Sequence, residues 1–132
     1  MSRLVIGVGF RKEASARSIG EVVTNASAQA AMPGAASLLA VLEDKAAHPG
    51  LIAAARTAQL AIETVAAGAI GAADAHVATR SAQARKYRGV GSVCEATALA
   101  AAGEGARLVV TRIVSADRTA TAAVALVEDR AS

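Results

Sequence analysis

Leu4-Val5-Ile6-Gly7-Val8 is a continuous apolar run closed by Gly9, the pattern of a short strand buried on both faces and therefore central in its sheet. Ser15 follows as an N-cap, and Ile19, Val22, Val23 and Ala26 then recur on one helical face, which predicts a helix over Ala16–Ala30. Met32-Pro33-Gly34 breaks that helix, and Ser37-Leu38-Leu39-Ala40-Val41-Leu42 is a second buried run, ending in Glu43-Asp44-Lys45. Strand, helix and strand in this order imply a right-handed parallel crossover.

The rest of the chain extends this unit. Pro49, after His48, suits the first turn of a helix that Leu51, Ala54 and Ala55 continue to about Ala58, and Gln59–Val65 reads as a third strand. Ala72–Lys86 lacks periodicity and reads as a loop with one helical turn, a natural place for ligand contacts. In Gly89-Val90-Gly91-Ser92-Val93-Cys94-Glu95, Ser92 and Glu95 form the S-x-x-E capping box of an alanine-rich helix through Ala102, which Gly103-Glu104-Gly105 stops. Arg107–Val114 and Thr119–Val127 read as strands joined by Ser115-Ala116-Asp117-Arg118, a link short enough for an antiparallel hairpin. The expectation is one α/β domain over residues 1–132. It has three layers, α/β/α, around a mixed sheet of about five strands: a parallel core with a C-terminal antiparallel hairpin, its ligand side at the carboxyl ends of the parallel strands.

Composition narrows the function. Of 132 residues 37 are alanine, one is Phe, one is Tyr and none is Trp, so packing relies on β-branched strands under closely approaching helices, and base stacking on aromatic platforms is not expected. The chain is 54% hydrophobic and 19% charged, which rules out a disordered chain. Its longest apolar stretch, Leu60–Ala73, contains Glu63 and two glycines, so no membrane span is expected. Met1-Ser2-Arg3 runs directly into the first strand without a signal-type apolar segment, which predicts a cytoplasmic protein. Cys94 is the single cysteine, and His48 and His76 stand far apart, so neither a disulfide nor a local metal site is read; no metal is expected.

The formal net charge of +3 is unevenly placed. Arg11-Lys12 follow the first strand, and Arg80, Arg85, Lys86 and Arg88 crowd a segment without acids, which suits a small polyanion better than nucleic acid. Gly91 and Ser92 stand where a helix N-terminus favours a carboxylate or phosphate. Gly7-Val8-Gly9 does not extend to G-x-G-x-x-G, since the third position is Lys12, and no GxxxxGK[ST] loop occurs, so no nucleotide or other cofactor is implied. Cys94 reads first as a small core thiol, His48 as a helix-start residue and Glu95 as a cap; His48 and Glu95 remain the weak catalytic candidates.

Four segments occur in order and at the spacing of one family: Leu4–Lys12, Lys45-Ala46-Ala47-His48-Pro49-Gly50-Leu51, Gly91–Leu99 and Thr121–Ala125. Over Arg3–Val127 the chain resembles the CobE/CbiG C-terminal domain family of cobalamin biosynthesis, and stand-alone members in particular. That family often carries Cys where this chain has Phe10, and Glu where it has His48. The resemblance implies a part in the pathway, with CbiG-like proteins opening the lactone formed during ring contraction and the stand-alone type having no clearly implied reaction.

Precorrin and corrinoid intermediates bear many carboxylates, which basic side chains and a helix N-terminus suit. The leading expectation is a carrier or accessory protein rather than a stand-alone catalyst. It would bind such an intermediate in a cleft lined by Gly9, Arg11, Lys12, Lys45, Gly91 and Ser92. One alternative is a hydrolase opening a ring-contraction lactone with Glu95 or His48 acting on water; another is a structural partner of other pathway enzymes. Nucleic acid and membrane are not expected partners, and self-association is left open.

Overall fold

The computed structural model describes residues 2–30, 36–68 and 93–128. Their elements are β1 (Ser2–Phe10), α1 (Ala16–Gln29), β2 (Ala36–Leu42), a 3-10 turn (Glu43–Lys45), α2 (Pro49–Ala58), β3 (Ile62–Val65), α3 (Val93–Ala102), β4 (Arg107–Val114) and β5 (Ala120–Glu128). The 72–86 segment, Gly91 and Ser92 lie outside the described residues. The strands form one five-stranded sheet in the order β3-β2-β1-β5-β4. β1 and β2 are parallel, as are β2 and β3, whereas β5 runs antiparallel to both β1 and β4. This is the mixed sheet with a C-terminal hairpin that the sequence predicts, and β1 is at its centre.

Alternation along β1 assigns its side chains to two cores. Leu4, Ile6 and Val8 join Ile19, Val22 and Val23 of α1 and Leu51 of α2. Val5 lies on the other face, in a second core with Ala40, Leu42, Val65 and Ala96, Ala98 and Leu99 of α3. Burial of each Val, Leu or Ile side chain contributes about 1.5–3 kcal/mol. Gly7 sets how closely α3 can approach: a Cβ there would lie 2.1 Å from the Cys94 carbonyl oxygen and 2.6 Å from the Ala98 nitrogen. Backbone rests on backbone, so alanines fill the remaining gap.

Local chemistry explains where the elements begin and end. The Ser15 hydroxyl accepts from Ser18 N at 3.1 Å and caps α1. Pro49 opens α2 after His48, as expected. The third strand is shorter than the predicted Gln59–Val65, because Gln59 takes the left-handed conformation (φ 58°) and closes α2, with Leu60 N bonded to Ala55 O at 3.0 Å. β5 is Ala120–Glu128, one residue later than predicted, because Thr119 belongs to the turn and its carbonyl accepts from Arg11 N at 2.8 Å. β4 matches its predicted bounds but shifts register twice against β5, between Leu108 and Val110 and again between Val110 and Ile113.

Chain order gives the sheet a functional polarity. From β1 the chain runs through α1, β2 and α2 to β3 on one side, and reaches β5 and β4 on the other side only after α3, which packs on the opposite face. The three parallel strands β1, β2 and β3 therefore share one carboxyl edge, with the β4–β5 turn beside the end of β1. In α/β sheets the carboxyl edge of the parallel strands is where ligands bind.

Candidate functional site

The carboxyl end of β1 is where these constraints meet. Phe10 closes the strand, and Arg11 and Lys12 follow with exposed side chains. Arg11 N donates to Thr119 O at 2.8 Å and Ala14 N to Arg11 O at 3.0 Å, so both ends of the basic turn are fixed. A Cβ on Gly9 would lie 3.9 Å from Cys94 N and from Val93 Cγ1, and 3.0 Å from Thr121 Oγ1. The first residues of α3 thus stand beside Gly9, and the Thr121 hydroxyl donates to Gly9 O at 3.3 Å.

Lys45 and His48 form the neighbouring wall. The Lys45 amine lies 5.6 Å from the centroid of the Phe10 ring, a cation–π approach that brings this charge toward the β1 end. His48 meets the same ring edge-on, centroid to centroid at 4.8 Å. Its Nδ1 accepts from Gly50 N at 3.0 Å and its Nε2 lies 2.8 Å from Lys12 O. An amide can only donate and a carbonyl only accept, so the proton sits on Nε2 of a neutral ring. His48 therefore caps α2 and ties it to the basic turn, with both ring nitrogens engaged by backbone.

Glu95 is fully buried in α3, and its Oε2 accepts from Arg112 N at 2.9 Å. Arg112 lies within the second register shift of β4, where the ladder is irregular and the carboxylate serves an amide of the displaced strand. The capping-box spacing with Ser92 could not show this contact with a strand seventeen residues on. Cys94 is buried, as a core thiol would be. Gly91 and Ser92 lie outside the described residues; Gly9, Arg11, Lys12 and Lys45 are gathered around the end of β1.

Two groups at this end escaped sequence reasoning. Thr121 faces Gly9 only through the antiparallel pairing of β5 with β1. Asp117 organises the β4–β5 turn: its carboxylate accepts from Ser18 Oγ at 2.5 Å, from Ser115 Oγ and Thr119 Oγ1 at 2.7 Å each, and from Thr119 N at 3.1 Å. Those donors, the Ser18 hydroxyl foremost, hold its carboxyl well below the usual carboxylate range. The spacing Ser115-x-Asp117-x-Thr119, typical of side-chain-to-backbone turns, was the available signal. Among the described residues no three His, Cys, Asp or Glu side chains are grouped to hold a metal ion, and no helix is long and apolar enough to cross a membrane.

The fold defines a small three-layer α/β domain around a mixed five-stranded sheet with β1 at its centre. Residues 4–125 match the family model described as cobalamin synthesis G C-terminus. The chain is 33% identical over 121 residues to Protein CobE of Sinorhizobium sp., an alignment covering 91% of this chain and 79% of that one. Its structure is similar to the crystal structure of CobE, a protein from the cobalamin (vitamin B12) biosynthetic pathway, with a TM-score of 0.80 and 26% identity over 98% of this chain and 94% of that one. It is also similar to the cobalamin biosynthesis protein chiG from Agrobacterium tumefaciens, with a TM-score of 0.71 and 38% identity over 96% and 99% of the two chains. The chain belongs to the CobE/CbiG C-terminal family and is a cobalamin biosynthesis protein.

Proposed function

We propose that this protein binds a carboxylate-rich precorrin or corrinoid intermediate at the carboxyl end of β1 and acts as a carrier or accessory factor for the pathway enzymes. The observation that supports the reading is that Gly9, beside the first residues of α3, and the exposed Arg11 and Lys12 lie at the carboxyl end of β1, with Lys45 against the Phe10 ring. Glycine lets a ligand approach the backbone, the cations pair with carboxylates, and the helix end adds fixed partial positive charge. A binding role rather than hydrolysis is supported by the two candidate catalytic groups: His48 has both ring nitrogens on backbone partners, and Glu95 is buried with an oxygen on the Arg112 amide. A general base needs an accessible lone pair within reach of water.

Titration of the purified chain with isolated carboxylate-bearing intermediates, followed by absorbance and product mass, tests the proposal. Binding that weakens with salt and returns the ligand unchanged in mass is expected, because the attraction is between partly exposed charges. Binding independent of salt would place the ligand on apolar contacts elsewhere.

A further inference from the structure

Beside the exposed Arg11, Lys12 and Glu13 at the β1 end, the β4–β5 turn carries its own acid and base, Asp117 and Arg118. Asp117 accepts from the hydroxyls of Ser18, Ser115 and Thr119 and from Thr119 N, and Glu21 Oε2 accepts from Ala116 N at 2.9 Å. Asp117 and Glu21 are thereby committed to neutral donors. Among the described residues, no carboxylate forms an ion pair with Arg11, Lys12 or Arg118. All three side chains are exposed.

Arg118 is the unexpected member of this set. It sits on the turn with φ +64°, a left-handed conformation that glycine or asparagine adopts at lower cost, and its N–H donates to Ser115 O at 2.9 Å. The next residue, Thr119, accepts the Arg11 amide through its carbonyl, so Arg118 stands one residue from the backbone bond that ties the two turns together. Asp117, held by its hydroxyl donors, keeps that turn rigid without neutralising the guanidinium. Exposed cations on turns joined by a backbone bond favour a bound polyanion, which offsets whatever repulsion lies between them.

We infer that Arg118 is a further ligand-binding residue, which together with Arg11 clamps a carboxylate of a polycarboxylate ligand from the β4–β5 side of the crevice. The inference rests on the proposed function and extends it to a turn outside the segments that carry the family resemblance. Two guanidiniums give planar, paired donors that match a carboxylate.

The test uses the full chain and uroporphyrin III, a tetrapyrrole octacarboxylate, titrated by absorbance at low and at moderate salt. Arg118→Gly suits the left-handed conformation, so its melting temperature should equal or exceed that of the parent chain. It should nevertheless bind roughly tenfold more weakly at low salt, with a shallower salt dependence. Arg118→Asn, also compatible with that conformation, should behave in the same way. Arg11→Ala combined with Arg118→Gly should lose less than the product of the single losses, as expected of two groups on one carboxylate. Parent-like affinity and salt dependence in both Arg118 variants would overturn the clamp and leave the proposed function standing. Failure of the parent chain to bind uroporphyrin III would overturn both.

Discussion

Gly7→Ala is the substitution for which the structure makes the most demanding forecast. The added methyl would lie 2.1 Å from the Cys94 carbonyl oxygen, 2.6 Å from the Ala98 nitrogen and 2.8 Å from the Ala98 Cβ. Carbon and oxygen in contact stand more than 3 Å apart, so α3 must retreat from β1 by about an ångström, and the atoms in the way are backbone that no rotamer change can move. Retreat loosens the packing of Val5 and Ala125 under Ala96, Ala98 and Leu99. It also pulls Glu95 from the Arg112 amide. Overpacking costs about 1–3 kcal/mol where neighbours yield; with a further 1–3 kcal/mol or so for a disturbed buried hydrogen bond, the forecast is a loss of about 2–6 kcal/mol. Urea unfolding followed by circular dichroism, with the slope unchanged and the midpoint lowered, is the assay. Gly20→Ala is the control, since a Cβ there meets nothing within 4 Å, and in a helix interior it should stabilise by about 0.5–1 kcal/mol. A Gly7→Ala protein within about 0.5 kcal/mol of the parent would refute the backbone-on-backbone account of α3.

Other substitutions probe separate contacts. Glu95→Ala removes the acceptor of the Arg112 amide inside the protein and should cost about 2–4 kcal/mol, which thermal unfolding measures. His48→Ala should cost about 0.5–2 kcal/mol through the lost cap, and His48→Asn should recover the Gly50 bond but not the tie to Lys12 O, so only the stability loss is expected to be rescued. Gly9→Ala places a methyl 3.0 Å from Thr121 Oγ1 at the crevice, and titration should show weaker ligand binding with little change in melting temperature. For pH, the Asp117 carboxyl is lowered in the folded protein, so its contribution is complete above the ordinary aspartate range and is lost as pH falls through that range toward the folded value. An acid titration of Asp117→Asn should show a flatter acid limb than the parent; parallel limbs would show that the turn network does not couple to folding.

The sequence carried most of the fold because its signals are local. The buried run from Leu4, the Ser15 cap, the Pro49 helix start and the β4–β5 pair each depend on residues close together in the chain. Boundaries slipped where a side chain without obvious turn character took a special conformation, as Gln59 did in closing α2 in place of a glycine. The site was less legible. Glycines and cations along β1 and its turn could be read, but contacts that cross the sheet could not: Glu95 to Arg112, Ser18 to Asp117 and Thr121 to Gly9. His48 was legible as a helix start. Its second nitrogen, bonded to Lys12 O thirty-six residues away, was not.

The central claim is that the crevice at the end of β1 holds a polycarboxylate tetrapyrrole without transforming it. The most direct measurement is incubation of the chain alone with the ring-contracted lactone intermediate, with bound ligand and product mass followed together across a salt series. The account predicts a saturable complex that weakens as salt rises, and a ligand recovered at its original mass. Multiple turnovers to a ring-opened product, abolished by Glu95→Gln in a protein that remains folded, would contradict it.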